Sequence, residues 1–478
     1  MPGYSESVPF SLQDAPFWAA YYADLQSLTK SYAIPGHKAR AELIGDVVVG
    51  DRPVSLTNRK DIPSFALMRD AEALAAAAWG ADYCRFSVNG SSAANQAAIC
   101  SVAGPGDTVI AARSLHKSLL FGLIYAGVSP AWLTTRTDDS GFPTPISAED
   151  VRKKIAYTPD AKAVVIGSPS YVGVVSDVSE IAAVCHEAGL PLVVDSAWGG
   201  HFGFHPNLPQ GAIANGADIA VISAHKTLPT MTQGALILAR RERVDIARLD
   251  RCFDGGQTTS PSAAIVASID GARAYMQAVG KDRLDEVMPA VADARSRIEQ
   301  HPLLRTFSGL HVDPLKLVIT TAPPIEGVAI EKGLNSVGIE VEMADRCTLI
   351  PQITVADSSD EVHHLVDTIL SVVGQIGDFQ TSQPADPISA SLWDIEPCTR
   401  MTPREAFFSR LVPIAADQSL GRIAGELIAP YPPGIPVLAP GEEITEQVLQ
   451  SLNDAKRRGV TIAYAADPTL STFLVIDE

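Results

Sequence analysis

The stretch from Asp218 to Leu228 constrains this chain more than any other. Its first half, Ile219 to Ile222, is a short apolar run with β-branched residues, which predicts a buried strand. Its second half places Ser223, His225 and Lys226 directly after that strand. Open α/β sheets bind ligands at that point, in the crevice at the carboxyl ends of their strands. The stretch therefore predicts an α/β fold with a reactive lysine at one edge of its sheet.

A second strand-like run, Pro191 to Val194, ends in Asp195. A lysine amine forms a Schiff base with the aldehyde of pyridoxal phosphate. A carboxylate beside the pyridine nitrogen keeps the ring charged, and the charged ring accepts electrons. Asp195 and Lys226 are predicted at the same end of two strands, so the pair suits this cofactor. The alternative is an aspartate in a turn and a surface lysine after a core strand.

Strands and helices alternate between residues 65 and 239, which predicts a mostly parallel sheet with right-handed crossovers. Helices are predicted over Asp70–Trp79 and Val178–Ala188, each followed by a glycine that favours a helix end. The predicted strands are Arg85–Val88, Thr108–Ala111, Ala163–Ser168, Pro191–Asp195, Ile219–Ile222 and Gly234–Ala239.

Small residues, Asn89 to Ser92, follow the first of these strands and begin a helix. The free N–H groups and the dipole at a helix start favour an anion, and Ser91 and Ser92 add hydroxyl donors. The segment is therefore a candidate phosphate site, and an ordinary N-cap is the alternative. It is neither a dinucleotide-binding glycine motif nor a P-loop.

The chain has 478 residues, which predicts two or three domains. We expect an N-terminal arm over residues 1–60 and a large cofactor-binding domain over residues 61–310. Strand-like runs (Leu317–Thr320, Ile339–Met343 and Thr348–Ile353) predict a small α+β domain over residues 311–380. The polar segment Gln380–Pro387 is a predicted linker to a C-terminal domain over residues 381–478.

The formal net charge of −18 argues against a nucleic-acid partner, which would require a basic patch. The N-terminus has no pattern of a signal peptide, and no apolar run has the length of a membrane span. Six cysteines without a CxxC pair are expected to be buried thiols in a reducing compartment. They are Cys84, Cys100, Cys185, Cys252, Cys347 and Cys398. We therefore expect a soluble, cytoplasmic protein without a membrane partner.

His201 and His205 are four residues apart, which is the spacing of two metal ligands on a helix. Gly203, Pro206 and Pro209 disfavour a regular helix there, and a zinc site needs three or four ligands. No metal is therefore predicted.

Several short motifs occur in one order along the chain and together resemble the ornithine/lysine/arginine decarboxylases of the aspartate-aminotransferase fold. The resemblance runs from about Pro35 to Glu442. Its most specific motifs are Ser223–Leu228 and Tyr431–Pro436. The motifs are Asn89–Ser92, His116–Ser118, Ser168–Val174, Asp195–Trp198, Ser223–Leu228, Thr259–Ser262, Tyr431–Pro436 and Pro440–Glu442.

The resemblance implies a pyridoxal phosphate enzyme in which Lys226 is the Schiff-base lysine and Asp195 pairs with the pyridinium nitrogen. His116 is implied to stack on the ring, and Lys226 or His225 to protonate Cα after CO2 leaves. A residue near Thr259 or Ser260 is implied to reach the phosphate from a second subunit, so at least a homodimer is expected. The implied cofactor contacts are Gly90, Ser91, Ser92, His116, Asp195, Ala197, Trp198, Ser223, His225, Lys226, Thr259 and Ser260.

The chain also departs from the pattern of the family that it resembles. Trp198 stands where many short relatives have histidine, and the chain is too short for the N-terminal receiver-like domain of the large bacterial members. Asp61–Phe65 replaces a more acidic segment, which weakens any transfer of substrate specificity.

Decarboxylation of a basic amino acid is therefore the leading hypothesis. An aminotransferase or an aldolase-type lyase uses the same lysine and aspartate, and a catalytically inactive regulatory homologue is the third hypothesis. The product, CO2 and amine against keto acid or aldehyde, distinguishes the enzymes.

The substrate's distal cation needs an anionic partner, because an unpaired buried charge is costly. Glu426 is the first candidate and Asp417 the second, and a solvated helix face is the alternative environment for Glu426. Arginine is favoured over lysine and ornithine, since a guanidinium binds a carboxylate bidentately.

Overall fold

The computed structural model describes residues 8–27, 30–57, 62–134, 136–138, 141–376, 395–431, 434–457 and 460–477. The predicted linker Gln380–Pro387 and two prolines of the Tyr431–Pro436 motif, Pro432 and Pro433, lie outside the described residues. The chain divides into two compact units, each built from two segments. The first unit contains residues 1–102 and 193–284, and the second contains residues 103–192 and 285–478.

The helices and strands of the described residues are labelled in chain order. The helices are α1 (Pro16–Ser27), α2 (Ala41–Ile44), α3 (Phe65–Ala78), α4 (Gly90–Val102), α5 (Lys117–Ala126), α6 (Ala148–Tyr157), α7 (Val178–Glu187), α8 (Ala224–Thr227), α9 (Ile246–Gly256), α10 (Ala263–Tyr275), α11 (Lys281–Glu299), α12 (Gly327–Ser336), α13 (Ser359–Ile376), α14 (Pro403–Phe408) and α15 (Glu446–Arg457). The strands are β1 (Tyr83–Ser87), β2 (Thr108–Ala112), β3 (Ser129–Leu133), β4 (Ala161–Gly167), β5 (Leu192–Asp195), β6 (Ile219–Ile222), β7 (Ala235–Ala239), β8 (Leu304–Phe307), β9 (Val318–Thr321), β10 (Met343–Ala344), β11 (Thr348–Ile350), β12 (Leu411–Ala415), β13 (Ala429–Tyr431), β14 (Thr461–Ala463) and β15 (Thr472–Ile476).

In the first unit, neighbouring strands follow the order β1, β7, β6, β5. Strands β5 and β6 are parallel, and every residue of both is buried. Such complete burial explains why the two strands are continuous apolar runs without polar alternation. The six strands predicted between residues 85 and 239 are all present, with ends shifted by at most two residues.

Strand β7 departs from the parallel arrangement, because it runs antiparallel to both β1 and β6. The connection from β6 to β7 contains only the single turn of α8. A parallel connection requires a crossover long enough to return along the sheet, so this short segment turns the chain back instead.

The N-terminal arm contains one well-anchored helix, α1. The buried carboxylate of Asp270 accepts hydrogen bonds from the backbone N–H groups of Phe17 (2.9 Å) and Trp18 (3.2 Å). These are N–H groups that the first turn of a helix leaves without an internal partner. Helix α1 lies within the arm predicted over residues 1–60.

In the second unit, β2 is parallel to both β3 and β4. A separate antiparallel sheet has the order β10, β11, β9, β8, in agreement with the predicted small α+β region. The strand predicted over Ile339–Met343 is wrong: only Met343 of that range is in a strand. Two short antiparallel pairs, β12 with β15 and β13 with β14, belong to the C-terminal segment.

Two further predictions can be compared with the structure. Cys84 and Cys185 are buried thiols, whereas the four other cysteines are partly exposed. Among the helices of the described ranges, none combines the length and the apolar content needed to cross a membrane.

Candidate functional site

Three strand ends meet at one edge of the sheet in the first unit. The residue pairs Ser87–Ala235 and Ile222–Leu236 place the ends of β1 and β6 on either side of the start of β7. Asp195 pairs with Val221, so β5 ends at the same edge. This edge is where open α/β sheets bind their ligands.

Asp195 is a buried carboxylate at that edge, with 6% of its surface exposed. Its Oδ2 accepts a hydrogen bond from the side-chain amide of Asn95 (3.0 Å), and its Oδ1 accepts one from the backbone N–H of Ala197 (3.2 Å). Both donors are neutral. They orient the carboxylate and leave its negative charge available to a cation. A nearby cation strongly stabilises a buried anion.

Lys226 lies on α8, immediately after β6, and its side chain is partly buried. Its Nζ is 4.3 Å from the centroid of the Trp198 ring. Trp198 stands three residues after Asp195 in the turn that follows β5. The structure thus brings the amine to the face of an aromatic ring beside the strand that ends in the buried carboxylate, a favourable cation–π arrangement.

Ser223 and His225 flank the start of α8. Ser223 is completely buried, and Nδ1 of His225 is 3.2 Å from the carbonyl oxygen of Gly234. A carbonyl oxygen only accepts hydrogen bonds, so Nδ1 carries a proton in this contact, and Nε2 of the neutral ring is an acceptor.

The start of α4 is connected to α8 through one turn. The backbone N–H of Gly90 donates to the carbonyl oxygen of Gln233 (3.0 Å), and the next carbonyl, that of Gly234, accepts from the backbone N–H of His225 (3.3 Å). Gly90 has a φ of +74°, a conformation that favours glycine. Its N–H is therefore occupied, and Ser91 and Ser92, partly buried and exposed, carry the donors that remain at the helix start.

Thr259 and Ser260 are exposed residues after α9. The end of α9 is attached to the segment before α4, because the side-chain amide of Asn89 donates to the carbonyl oxygen of Gly256 (3.0 Å). The exposed pair is thus close in sequence to residues that support the start of α4.

His116 belongs to the second unit. It is exposed and caps the N-terminus of α5, where its Nδ1 accepts the backbone N–H of Ser118 (3.3 Å). This bond fixes Nδ1 as an acceptor, so the proton of a neutral ring is on Nε2.

Glu426 and Asp417, the predicted partners of a substrate cation, also belong to the second unit. Glu426 is buried and does not lie on a solvated helix face. Its two carboxylate oxygens accept the backbone N–H groups of Ala466 (2.7 Å) and Leu474 (2.6 Å). Asp417 is exposed on a single helical turn.

Tyr171, in the Ser168–Val174 motif, donates a hydrogen bond to Oε1 of Glu342 (3.4 Å). Burial, together with the negative charge of that carboxylate, raises the pKa of the Tyr171 phenol well above its ordinary value. The phenol therefore stays protonated, as a donor, at any physiological pH.

His201 and His205 are both buried, in a segment of turns and not in a helix. Nδ1 of His205 accepts the backbone N–H of Asn207 (3.1 Å). Among the residues that the structure describes, no group of three or more potential ligands is placed to hold a metal ion.

Asn95 is the site residue that the sequence analysis missed. It is 1% exposed and lies on the buried face of α4, beside Ala94 and Ala98. A polar residue on an otherwise apolar helix face was the available signal, since buried polar groups are almost always hydrogen-bonded.

Two models of one protein family match the chain. The model described as the Orn/Lys/Arg decarboxylase major domain matches residues 62–322, and the model of the C-terminal domain of the same family matches residues 389–458.

Curated relatives match over nearly the whole length. The arginine decarboxylase of Halalkalibacterium halodurans is 30% identical, over 98% of this chain and 98% of the relative. The arginine decarboxylase of Bacillus subtilis is also 30% identical, over 98% and 99%. The solved structure of the lysine decarboxylase of Francisella novicida superposes with a TM-score of 0.80 at 18% identity, covering 97% of this chain and 81% of that one. This last similarity shows the fold.

Proposed function

The chain belongs to the Orn/Lys/Arg decarboxylase family, and we propose that it removes the α-carboxylate of a basic amino acid, with arginine as the favoured substrate, to give the amine and CO2. The family, the pyridoxal phosphate enzyme fold and the decarboxylase class predicted from the sequence motifs are thereby confirmed. The observation that carries the proposal is the match of the major-domain model, whose range includes both Asp195 and Lys226.

Pyridoxal phosphate is the cofactor of this family, and the edge of the first unit suits its three functional groups. Asp195 is a buried anion for the ring nitrogen, and Lys226 is the amine for the aldehyde. The phosphate group is assigned to the start of α4 (Gly90, Ser91 and Ser92) and to Ser223 and His225. When bound, the cofactor supplies a carbonyl carbon for an amino group and a charged ring that accepts the electrons released with CO2.

The other assigned contacts complete this binding site. Ala197 orients Asp195 through its backbone N–H. Trp198 is assigned to the side of the cofactor, where it faces Lys226. His116 is assigned to the ring face and Thr259 and Ser260 to the phosphate of a neighbouring subunit, both on the family resemblance.

Two groups are candidates for the proton that Cα receives after CO2 leaves. The ammonium of Lys226 is one. The other is His225 in its doubly protonated form, which would donate from Nε2, because Nδ1–H is held by the carbonyl oxygen of Gly234. Either group is close to the end of β6, which is where a general acid is needed.

Arginine is favoured because the two relatives reported above carry that name at 30% identity. Glu426 remains the proposed partner of the guanidinium, with Asp417 as the second candidate. The donors to Glu426 are two neutral amides, and an ionised carboxylate has about four acceptor sites, so room for a cation is left. A purely structural Glu426 is the alternative.

We also infer that the active unit is at least a homodimer. The backbone of Val54 bonds to Pro261 (2.9 Å), and that of Ala263 bonds to Arg52 (2.7 Å), so the arm lies along the segment expected to enter the neighbouring subunit. The same arm exposes large apolar side chains, which mark a contact surface. They include Tyr32, Leu43, Ile44, Val47 and Leu56.

A charge on this surface tests the assembly. The double variant Val47→Asp and Leu56→Asp should raise the dissociation constant of the dimer at least a hundredfold in sedimentation velocity, because charges would be buried at the interface. Tyr157→Asp is the matched control, since Tyr157 is as exposed as Leu56 (both 87%) but lies in the second unit. A wild-type protein that is a fully active monomer at every concentration would refute the dimer.

The activity itself is tested with a substrate panel. Purified protein, loaded with pyridoxal phosphate, is incubated separately with arginine, lysine and ornithine, and both CO2 and amine are measured. The highest kcat/KM is expected for arginine. A clear preference for lysine or ornithine would refute the choice of arginine, and a keto acid or an aldehyde as product would refute decarboxylation.

The four-part division of the chain at residues 60, 310 and 380 stays a proposal, supported by family-model boundaries near residues 62 and 389. A cytoplasmic location likewise stays a prediction from the cysteine pattern.

A further inference from the structure

Arg113 is a buried cation at a strand end of the second unit. It directly follows β2, and its side chain is 3% exposed. Its guanidinium forms a bidentate pair with Glu442, through Nη1 to Oε1 (2.6 Å) and Nη2 to Oε2 (2.8 Å). Its Nε donates to the carbonyl oxygen of Pro436 (3.0 Å), and its Cζ is 4.9 Å from the centroid of the Trp132 ring. The planar fork of arginine is required for this set of contacts.

The segment around Glu442 fixes the position of its carboxylate. Oε2 of Glu442 also accepts the backbone N–H of Ala439 (2.9 Å), which fixes the carboxylate. Gly441 has a φ of +90°, and a Cβ there would lie 2.5 Å from the carbonyl oxygen of Met401. The Pro440–Glu442 motif therefore forms a tight turn that places the buried carboxylate of Glu442 against Arg113.

The same C-terminal segment holds both ends of α5. Nη1 of Arg404 donates to the last carbonyl oxygens of α5, those of Ile124 (3.0 Å) and Tyr125 (2.8 Å). At the other end, Nζ of Lys117 lies 4.2 Å from the centroid of the Tyr464 ring. Cations at a helix C-terminus satisfy carbonyls that have no partner within the helix.

His116 lies in the sequence between two of these attached residues, Arg113 and Lys117. It follows Arg113 by three residues and caps α5, yet its ring is exposed and hydrogen-bonded to Ser118 of its own helix. The turn from Arg113 to His116 therefore contributes to the position of the ring.

We propose that Arg113 and Glu442 are positioning residues: their buried pair fixes the turn that presents the imidazole of His116 to the cofactor. This rests on the proposed function, in which His116 lies against the ring of pyridoxal phosphate. A misplacement of about 1 Å in a reacting site lowers a rate by about a hundredfold, so the rigidity of this turn has a direct catalytic consequence.

The test compares two adjacent glutamates. Glu442→Gln keeps the shape of the side chain but removes the charge that holds Arg113. We expect kcat to fall at least tenfold with less than a twofold change in KM, and the visible circular dichroism of the bound cofactor to change. Glu443→Gln is the matched control, because Glu443 forms a partly exposed pair with Arg400, and it should leave both readouts unchanged.

A double-variant cycle separates positioning from general stability. If Glu442 acts through His116, then Glu442→Gln should lower kcat less than twofold further in a His116→Ala background. Equal losses in both backgrounds would overturn the proposal. Arg113→Lys, which keeps the charge but loses the fork, carries the same test if Glu442→Gln does not fold.

A cofactor-free readout makes failure of this inference distinguishable from failure of the proposed function. The rate at which diethylpyrocarbonate modifies His116 is measured by mass spectrometry in protein without cofactor. Glu442→Gln should change that rate at least twofold, and Glu443→Gln should not. An unchanged rate would overturn the positioning role, whether or not the wild-type protein is a decarboxylase.

Discussion

Asp195 and Glu442 are both buried carboxylates, and their partners differ. Asp195, in the first unit, accepts hydrogen bonds from a side-chain amide and a backbone N–H, which are neutral. Glu442, in the second unit, is paired bidentately with the buried guanidinium of Arg113. The donors to the first carboxylate are neutral, so its charge is available to a cation, whereas the charge of the second is neutralised by Arg113.

This difference distinguishes a binding group from a structural one. A buried charge with neutral donors is costly for the folded protein and is stabilised when a cation binds. A buried ion pair stabilises the contact between two segments and is costly to break. Glu426 resembles Asp195 in this respect, because both of its oxygens accept only backbone amides, and for that reason it stays in the proposed site.

Replacement of the first carboxylate should affect catalysis most. Asp195→Asn keeps the size but loses the charge that holds the ring nitrogen protonated, so kcat should fall about 10³-fold while the cofactor still binds. Turnover of the cofactor-loaded variant measures this effect. Asp160→Asn, an exposed aspartate in the second unit, is the control and should match the wild type. Near-normal turnover of Asp195→Asn would remove its electrostatic role.

Replacement of the second carboxylate should affect stability. Glu442→Gln leaves the guanidinium of Arg113 buried and uncompensated, at a cost of about 3–5 kcal/mol. The midpoint of thermal unfolding should fall accordingly, whereas the midpoint of Glu443→Gln should match that of the wild type, because substitutions outside the core usually change stability little. An unchanged midpoint for Glu442→Gln would contradict the contrast between the two carboxylates.

Glu426 should affect substrate binding. Glu426→Gln should raise KM for the true substrate about tenfold, with little change in kcat, the pattern of lost uniform binding. Steady-state kinetics with the preferred amino acid measure it, and Asp417→Asn tests the second candidate in the same way. A lower thermal midpoint with an unchanged KM would assign Glu426 a structural role only.

The smallest effect is expected at Asn95. Asn95→Ala removes one hydrogen bond to the charged Asp195, a loss of about 1.5 kcal/mol or about tenfold in kcat. Asn95→Asp places a second carboxylate there and should be worse than alanine, because like charges raise the pKa of the pair. Equal kcat values for the two variants would show that the amide does not act through Asp195.

The sequence predicted the local features and missed the long-range ones. Strands β5 and β6 were predictable, because a buried parallel strand is an uninterrupted apolar run, and so Asp195 and Lys226 were found at their ends. The contact between Asn95 and Asp195 joins residues 100 positions apart, and the pair of Arg113 with Glu442 joins residues 329 apart. No local pattern encodes such partners, and the antiparallel direction of β7 followed from a short connection whose geometry only the structure shows.

The most direct test of the central claim is the attachment point of the cofactor. Protein loaded with pyridoxal phosphate is reduced with borohydride and digested with trypsin. A modified Lys226 blocks cleavage, so the cofactor should appear on the peptide Ala163–Arg240, in which Lys226 is the only lysine. Lys226→Ala should lose the adduct, and Lys162→Arg should keep it. Cofactor on the Ala163–Arg240 peptide is the predicted result, and cofactor on any other lysine, or no reducible attachment, would contradict the account.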